Sequence, residues 1–110
     1  MTNVITLIVF PVKDLEKAKA FYSLFLKTEP YAESPYYVGY KVGDIEVGLD
    51  PNGHDVVSYI DTTDIQASLK ELVAGVATVN MDPKDVGGGL LVAQVKDADG
   101  NVLGLRQQAK

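Results

Sequence analysis

The pair Asp14-Leu15 opens a helical pattern after an apolar run, and the pair Asp64-Ile65 opens a second one after another apolar run. Each half of the chain then closes on a Gly-Leu pair followed by a charged residue. The closing stretches are Gly48-Leu49-Asp50 and Gly104-Leu105-Arg106. A repeat of this length indicates one supersecondary module that is used twice.

The first half predicts a strand, a helix and three further strands. Val4 to Val12 is rich in β-branched and aromatic residues, which favours a buried strand with Pro11 at an edge or bulge. Asp14 caps a helix over residues 15–27, and Pro30 follows as a stop. One face of this helix is predicted to pack on a sheet. That face consists of Leu15, Ala18, Phe21, Tyr22 and Phe25. Strands are predicted near 30–33, at 36–42 and at 45–49, with a Gly43-Asp44 hairpin turn.

The second half repeats this order. Asp64 caps a helix that ends at Gly75, a position suited to a left-handed cap. The predicted strands are 56–61, 76–81, 90–96 and 102–107, with a loop from Asp82-Pro83 to Gly89 and a turn from Asp97 to Asn101. The turn Pro51-Asn52-Gly53 links the halves, so we expect a single domain, 1–110, with modules 1–53 and 54–110.

The amino-acid composition excludes several classes of chemistry and of binding partner. The 110 residues include no cysteine, which excludes disulfides and thiolate chemistry. The net charge of -5 argues against nucleic acid, whose binding requires an excess of Lys and Arg. The N-terminus lacks the basic start of a signal peptide, and no apolar stretch approaches the roughly 20 residues that span a bilayer. We therefore expect a cytoplasmic protein that binds neither nucleic acid nor membrane.

The order of elements, the Asp-Leu pair before a helix with Phe21-Tyr22, and the Asp-x-Asp-Gly-Asn turn at 97–101 together resemble the vicinal oxygen chelate superfamily. That group includes glyoxalase I, bleomycin-resistance proteins and ring-cleaving dioxygenases. The resemblance covers about residues 3–108. It implies an α+β fold in which two βαβββ modules form a curved, half-open, eight-stranded mixed β-sheet. It further implies a ligand on the concave face and a homodimer.

The resemblance also assigns four positions to metal ligands. They are Leu7 and Val57 on the first strand of each module, and Gly48 and Gly104 on the last. None of these side chains can ligate a metal, whereas divalent ions need nitrogen or oxygen donors. We therefore expect no metal and no other cofactor. A displaced site that uses Asp50 and His54 remains the alternative.

If the family geometry holds, apolar residues and glycines line the cavity, and two charged residues supply its polar contacts. The candidate ligand-binding residues are Leu7, Val9, Tyr40, Gly48, Asp50, Val57, Tyr59, Gly104 and Arg106. The glycines are expected to leave room for a ligand. For Asp50 and Arg106, a surface charge near a strand end is the competing interpretation. Tyr31, Tyr36 and Tyr37 also offer stacking surfaces or padding for the sheet.

Three hypotheses follow. The first is a glyoxalase/bleomycin-resistance-like protein that encloses a neutral or cationic small molecule without a metal. The second is a glyoxalase-like lyase or isomerase with a displaced metal site, or with acid-base groups among Glu46, Asp50 and Tyr59; no catalytic residue is assigned. The third is a module whose pocket is filled by its own side chains, which leaves dimerisation as its main property.

Overall fold

The computed structural model describes residues 3–109, which form eight strands and two helices. The strands are β1 Ile5–Pro11, β2 Ala32–Ser34, β3 Tyr37–Val42, β4 Ile45–Asp50, β5 Val57–Asp61, β6 Thr78–Asp85, β7 Leu91–Lys96 and β8 Val102–Gln107. The helices are α1 Leu15–Leu26 and α2 Ile65–Ala74. This order confirms an α+β fold built from two βαβββ modules. Neither of the two helices in residues 3–109 is long and apolar enough to cross a membrane.

The chain divides into two compact units. The first unit is Thr6–Val57, and the second unit is Ser58–Lys110 together with Met1–Ile5. The division falls a few residues after the Pro51–Gly53 turn, at which the repeat places the module boundary. The single-domain organisation stays a prediction.

The first unit is a mixed sheet with α1 packed on one face. Its strands lie in the order β2-β3-β4-β1, with β1 parallel to β4 and the other neighbours antiparallel. The core on the helix side is formed by Val38, Tyr40, Val47 and Leu49, against which Tyr22 and Leu26 of α1 pack. Since successive strand residues face opposite sides, Gly39 and Gly48 lie on the side away from α1.

Helix α1 begins and ends much as its sequence predicts, but its buried face is narrower. The Asp14 side chain accepts a hydrogen bond from the backbone N–H of Lys17 at 3.1 Å, and Lys27 ends the helix in a left-handed conformation. Phe21 and Phe25 were predicted to pack on the sheet, yet they are 58% and 69% exposed. The prediction is wrong for these two because Tyr22 and Leu26 take the inward positions of the last turns.

The second unit has the matching sheet, in the order β5-β8-β7-β6, with β5 parallel to β8. Its core combines residues of α2 with residues of β7 and β8. They are Ile65, Leu69, Ala93, Val95 and Leu105. Asp64 caps α2 through the N–H of Ala67 at 3.0 Å, as predicted.

The C-terminal end of α2 differs from the prediction. Gly75 does end the helix, but its φ of -94° is not left-handed. The left-handed residue is the next one, Val76, with a φ of 86°. A β-branched residue rarely adopts this conformation, since its side chain crowds the backbone. Val76 is also 81% exposed.

Strand β6 is longer than predicted, since it continues through Asp82-Pro83 to Asp85. Two shifts in its register with β7 interrupt the ladder, between Val79 and Met81 and between Met81 and Lys84. Because β6 lies at the edge of the sheet, Pro83 can occupy a strand without removing a ladder hydrogen bond from a second neighbour. The loop that follows is therefore short and contains three glycines with positive φ, Gly87, Gly88 and Gly89.

Candidate functional site

The two parallel strand pairs place equivalent residues in equivalent rows. In the first unit, Val9 of β1 pairs with Gly48 of β4, and Pro11 pairs with Asp50. In the second unit, Tyr59 of β5 pairs with Gly104 of β8, and Asp61 pairs with Arg106. The repeat in the sequence therefore corresponds to a repeat in strand register.

In the first unit, the space above Gly48 is taken by Tyr37 of β3. A Cβ added at Gly48 would overlap the Tyr37 hydroxyl oxygen and lie 2.6 Å from Cζ. Gly39, which pairs with Gly48, is also covered: a Cβ there would lie 3.2 Å from Cε1 of Tyr31 and 3.3 Å from Cε2 of Tyr37. The two glycines thus form a flat floor under two tyrosine rings. We call this arrangement the first tyrosine–glycine contact.

In the second unit, Tyr59 covers Gly104 directly. A Cβ at Gly104 would overlap Cδ2 and Cε2 of the ring and lie 2.7 Å from Cγ. Gln94 of β7 donates from Nε2 to the Tyr59 hydroxyl at 3.1 Å, and Asn80 donates to Gln94 Oε1 at 2.8 Å. Gln94, which Asn80 positions, thereby holds the hydroxyl end of the ring. This is the second tyrosine–glycine contact.

The glycines were expected to leave room for a ligand. The structure instead shows that tyrosine rings of the chain itself occupy the space directly above them. Any molecule on these sheet faces therefore meets an aromatic surface before it meets the glycine backbone. Whether Gly48 and Gly104 contribute to ligand binding stays a prediction.

Polar groups surround the first tyrosine–glycine contact. Tyr31 donates from its hydroxyl to Glu46 Oε1 at 2.5 Å, a short bond of the kind that a carboxylate acceptor favours. The Lys41 Nζ atom lies 4.7 Å from the centroid of the Tyr31 ring, within cation–π range. This face of the first unit therefore combines aromatic rings with a carboxylate and an ammonium group.

Arg106 is buried at the end of β8, with only 7% of the residue exposed. Its Nε donates to Asp61 Oδ1 at 2.7 Å, and Nη2 lies 3.4 Å from Oδ2, so the guanidinium faces the carboxylate with two nitrogens. The interpretation of Arg106 as a solvated surface charge is thus excluded. Asp61 was not selected from the sequence, although its place opposite Arg106 follows from the parallel register.

Asp50, the counterpart of Arg106, serves the local backbone. Its Oδ1 accepts the N–H of Asn52 at 2.8 Å, and its carbonyl accepts the N–H of Gly53 at 3.3 Å. These bonds close the predicted Pro51-Asn52-Gly53 turn. His54 follows in an exposed position.

Tyr40 does not belong to the candidate site. It lies on the helix side of β3, is 0% exposed, and packs in the core of the first unit. Its hydroxyl donates to the carbonyl of Lys19 at 3.1 Å and lies 2.9 Å from Ser23 Oγ. The prediction included Tyr40 among the cavity residues, but Tyr40 pairs with the core residue Val47 and therefore lies on the opposite face of the sheet from Gly48.

The remaining candidates lie where strand alternation predicts. Leu7 and Val57 are buried and Val9 is half-buried, on the opposite side of their strands from the residues that pack under the helices. From the sequence, Tyr31 was named only as a stacking or padding residue and Glu46 only as a possible acid-base group, and Gln94 was not singled out. The available signal was the density of tyrosines before and within β3, but the sequence does not give their partners.

Two charged groups outside these contacts have shifted pKa values. Hydrogen bonds from Asn101, then from neighbouring backbone N–H groups, lower the pKa of Asp97 in the β7–β8 turn. The hydrogen bond to Glu33, together with the charge of Glu16, raises the pKa of Lys19 on α1. Asp97 thus holds its turn as a carboxylate, with Oδ1 accepting from Asp99 at 2.9 Å and from Asn101 at 2.8 Å.

Comparison with known proteins places the chain in a family. The model of the Glyoxalase/Bleomycin resistance protein/Dioxygenase superfamily matches residues 4–105. A comparison with curated protein sequences finds no match.

Solved structures with the same fold cover nearly the whole chain. A hypothetical protein from Bacillus halodurans C-125 is 15% identical with a TM-score of 0.81, covering 100% of this chain and 97% of its own. Methylmalonyl-CoA epimerase from Streptomyces coelicolor, solved in complex with 2-nitronate-propionyl-CoA, is 17% identical with a TM-score of 0.72, covering 96% and 97%. A superfamily member from Vibrio splendidus 12B01 is 20% identical with a TM-score of 0.70, covering 97% and 100%. At these identities the likeness shows the fold alone.

Proposed function

Because this chain belongs to the Glyoxalase/Bleomycin resistance protein/Dioxygenase superfamily, we propose that it binds a small molecule without a metal ion. The ligand surface is the sheet face away from the helix, where tyrosine rings cover glycines. The observation that carries the proposal is the position of these rings. Tyr37 and Tyr59 occupy the space above Gly48 and Gly104, the positions that the resemblance assigns to metal-ligating side chains.

The residues at the family's metal positions do not fit a divalent ion. Leu7 and Val57 carry no donor atom, and any side chain added at Gly48 or Gly104 would collide with a tyrosine. The displaced alternative is also weakened, since the Asp50 carboxylate accepts a backbone hydrogen bond in its turn. Among residues 3–109, no three His, Asp or Glu side chains converge as a metal-binding group.

The chemistry of the first unit favours a flat, neutral or cationic ligand. The Tyr31 ring is half exposed and offers a stacking surface, while Glu46 provides a carboxylate beside it. The Glu46 carboxylate attracts an aromatic cation, which would take the place of the Lys41 ammonium beside the Tyr31 ring. The net charge of -5 acts in the same direction at longer range.

The experiment pairs metal analysis with ligand binding. Elemental analysis of untagged protein purified without chelator is expected to find no stoichiometric divalent ion. The second measurement is a thermal-shift screen with neutral and cationic aromatic compounds. A compound that binds the folded state is expected to raise the Tm by several degrees when its concentration is well above its Kd. One metal ion per chain that survives dialysis would contradict the proposal.

Three variants locate the ligand. Glu46→Gln removes the carboxylate charge and is expected to abolish the Tm shift for cations while it spares neutral compounds. Tyr31→Phe removes the hydroxyl that Glu46 accepts from and is expected to weaken binding severalfold. Tyr36→Phe is the matched control, because Tyr36 is 73% exposed and lies outside the first tyrosine–glycine contact. Equal losses in all three variants would exclude this surface.

A second candidate function rests on the pairing of the Glu46 carboxylate with the Tyr31 hydroxyl. A carboxylate held by a phenol on an open face has the geometry of a general base, as a lyase or isomerase would need. Asp50 and Tyr59, the other acid-base candidates, hold the turn and the Gln94 bond instead. Turnover of a 2-oxoaldehyde or 2-acyl thioester that Glu46→Gln abolishes would favour this function over simple binding.

We also propose that the chain forms a homodimer through the exposed face of α1. Phe21, Leu24 and Phe25 are 58%, 70% and 69% exposed, and the two phenylalanine rings stack with centroids 6.0 Å apart. Apolar groups clustered in this way mark association surfaces. Light scattering is expected to give two chains per particle, and one chain for Phe21→Ser/Phe25→Ser. The Tyr36→Ser variant is expected to remain dimeric, because Tyr36 is not part of α1.

A further inference from the structure

The second unit contains an apolar cavity on the helix side of its sheet, the side away from the second tyrosine–glycine contact. Its volume is about 390 Å³. The cavity lies between the C-terminal end of α2 and the starts of β5 and β8. Its walls include Ile5, Ser58, Leu72, Val76, Ala98 and Leu103.

We propose that this cavity binds a neutral, mainly apolar small molecule that carries a single hydrogen-bonding group. The volume lies near the lower end of the range for small-molecule pockets. The proposal goes beyond the ligand surface proposed above, because it concerns the opposite face and does not involve Tyr31, Glu46 or Tyr59.

The polar groups of the wall define the ligand. Two polar side chains line the cavity, Ser58 and Asp97. The Asp97 carboxylate already accepts hydrogen bonds from Asp99 and Asn101, so it is committed to its turn. The Ser58 hydroxyl makes no hydrogen bond to another residue of the described part of the chain, 3–109. The Ser58 hydroxyl can therefore form one hydrogen bond with a ligand. A charged group on the ligand would be disfavoured, because the cavity provides no partner for it.

The rim of the cavity carries two independent signs of use. Leu103 and Ile5 are 43% and 48% exposed, although both lie on strands, and a ligand would remove this apolar surface from water. Val76 keeps its left-handed backbone at the rim, with a φ of 86°. Glycine would adopt that conformation without strain but would remove the side chain from the cavity wall. Backbone strain of this kind points to a function of the side chain.

The test uses N-phenyl-1-naphthylamine, a neutral fluorescent amine with one N–H donor. Titration of the full chain is expected to show saturable binding of one probe per chain. Leu103→Gln is expected to weaken binding about tenfold, since it removes one apolar side chain from the wall. Ala98→Trp is expected to abolish binding, because the indole fills the space.

Controls separate this cavity from other apolar surfaces. Val86→Gln replaces an exposed apolar residue outside the cavity and is expected to change the affinity less than twofold. Tyr31→Phe is expected to leave probe binding unchanged, because Tyr31 does not line the cavity. Probe binding in the cavity therefore does not depend on whether the ligand surface around Tyr31 is functional. Ser58→Ala is expected to weaken the probe about threefold, the loss of one hydrogen bond. Tm measurements show whether each variant is folded.

Several outcomes would overturn the proposal. They are non-saturable binding by the wild-type chain, equal loss in Leu103→Gln and Val86→Gln, and unchanged binding in both Leu103→Gln and Ala98→Trp. A dimer that excludes the probe and dissociates in Leu103→Gln would likewise overturn it, since a second copy would then be the occupant.

Discussion

In both units, two equivalent pairs of residues face each other across the parallel strands, but the residue types in these pairs differ. In the first unit the rows are Val9 with Gly48 and Pro11 with Asp50. In the second unit they are Tyr59 with Gly104 and Asp61 with Arg106. The second unit thus places its aromatic ring and its ion pair directly across the ladder.

The first unit reaches a similar surface by another route. Its ring comes from Tyr37 of β3, on the other side of β4, and only the hydroxyl end covers Gly48. Its charged residue, Asp50, bonds to the following turn because Pro11 offers no partner. The two modules therefore have the same arrangement of a tyrosine ring over a glycine, but the ring comes from β3 in the first unit and from β5 in the second.

The largest expected effect concerns the two glycines. Gly104→Ala is expected to lower the free energy of unfolding by about 3 kcal/mol, because the new Cβ meets the body of a buried ring. Gly48→Ala is expected to cost only about 1 kcal/mol, since it meets the far end of Tyr37, which can shift. Urea unfolding measures both. In a Tyr59→Leu background the cost of Gly104→Ala should largely vanish; equal costs in both backgrounds would mean that the ring is not the obstacle.

The second prediction concerns the charged rows. Asp61→Asn removes the charge beside buried Arg106 and is expected to lower the free energy of unfolding by about 2 kcal/mol. The figure lies below that for a fully buried pair because the Asp61 side chain is 41% exposed. Asp50→Asn keeps an oxygen for the Asn52 N–H and is expected to cost less than about 0.5 kcal/mol. A larger loss of unfolding free energy in Asp50→Asn than in Asp61→Asn would contradict this prediction.

The third prediction compares the ends of the two helices. Val76→Gly is expected to raise the free energy of unfolding by about 1 kcal/mol, because glycine relieves the strain at a φ of 86°. Lys27→Gly, at a φ of 54°, is expected to gain less, since an unbranched residue tolerates this conformation better. Thermal unfolding of both variants is the measurement. Destabilisation by Val76→Gly would show that the side chain contributes more by packing than its backbone costs.

The smallest expected effect is the pH dependence of the β7–β8 turn. The folded pKa of Asp97 is lowered, so its contribution to stability is present above the unfolded value, about 4, and is lost as pH falls through the folded value. Asp97→Asn is expected to flatten the acid limb of the stability curve below about pH 4. Asp44→Asn, in the matching β3–β4 turn, is the control. An unchanged acid limb in Asp97→Asn would contradict the assignment.

The sequence predicted the elements well where local chemistry decides them. Asp14 and Asp64 cap helices because a carboxylate satisfies exposed backbone N–H groups wherever such a segment begins. Phe21, Phe25 and Tyr40 were misplaced because burial depends on which face the neighbouring element covers, the sheet for α1 and the helix for β3. The continuation of β6 through Pro83 depended on its edge position, which no window of sequence reveals.

By itself, the sequence determined that a βαβββ module occurs twice and that no donor stands at the four positions that the resemblance assigns to a metal. The repeat follows from periodicity, which is a local property, whereas the four positions come from the resemblance and the loss of metal ligands stays a prediction. Only the tertiary structure decided that Tyr37 and Tyr59 lie over Gly48 and Gly104, and that Arg106 is buried against Asp61. Such contacts join residues from different strands, so they depend on sheet register and side-chain direction. Chain order alone fixes neither.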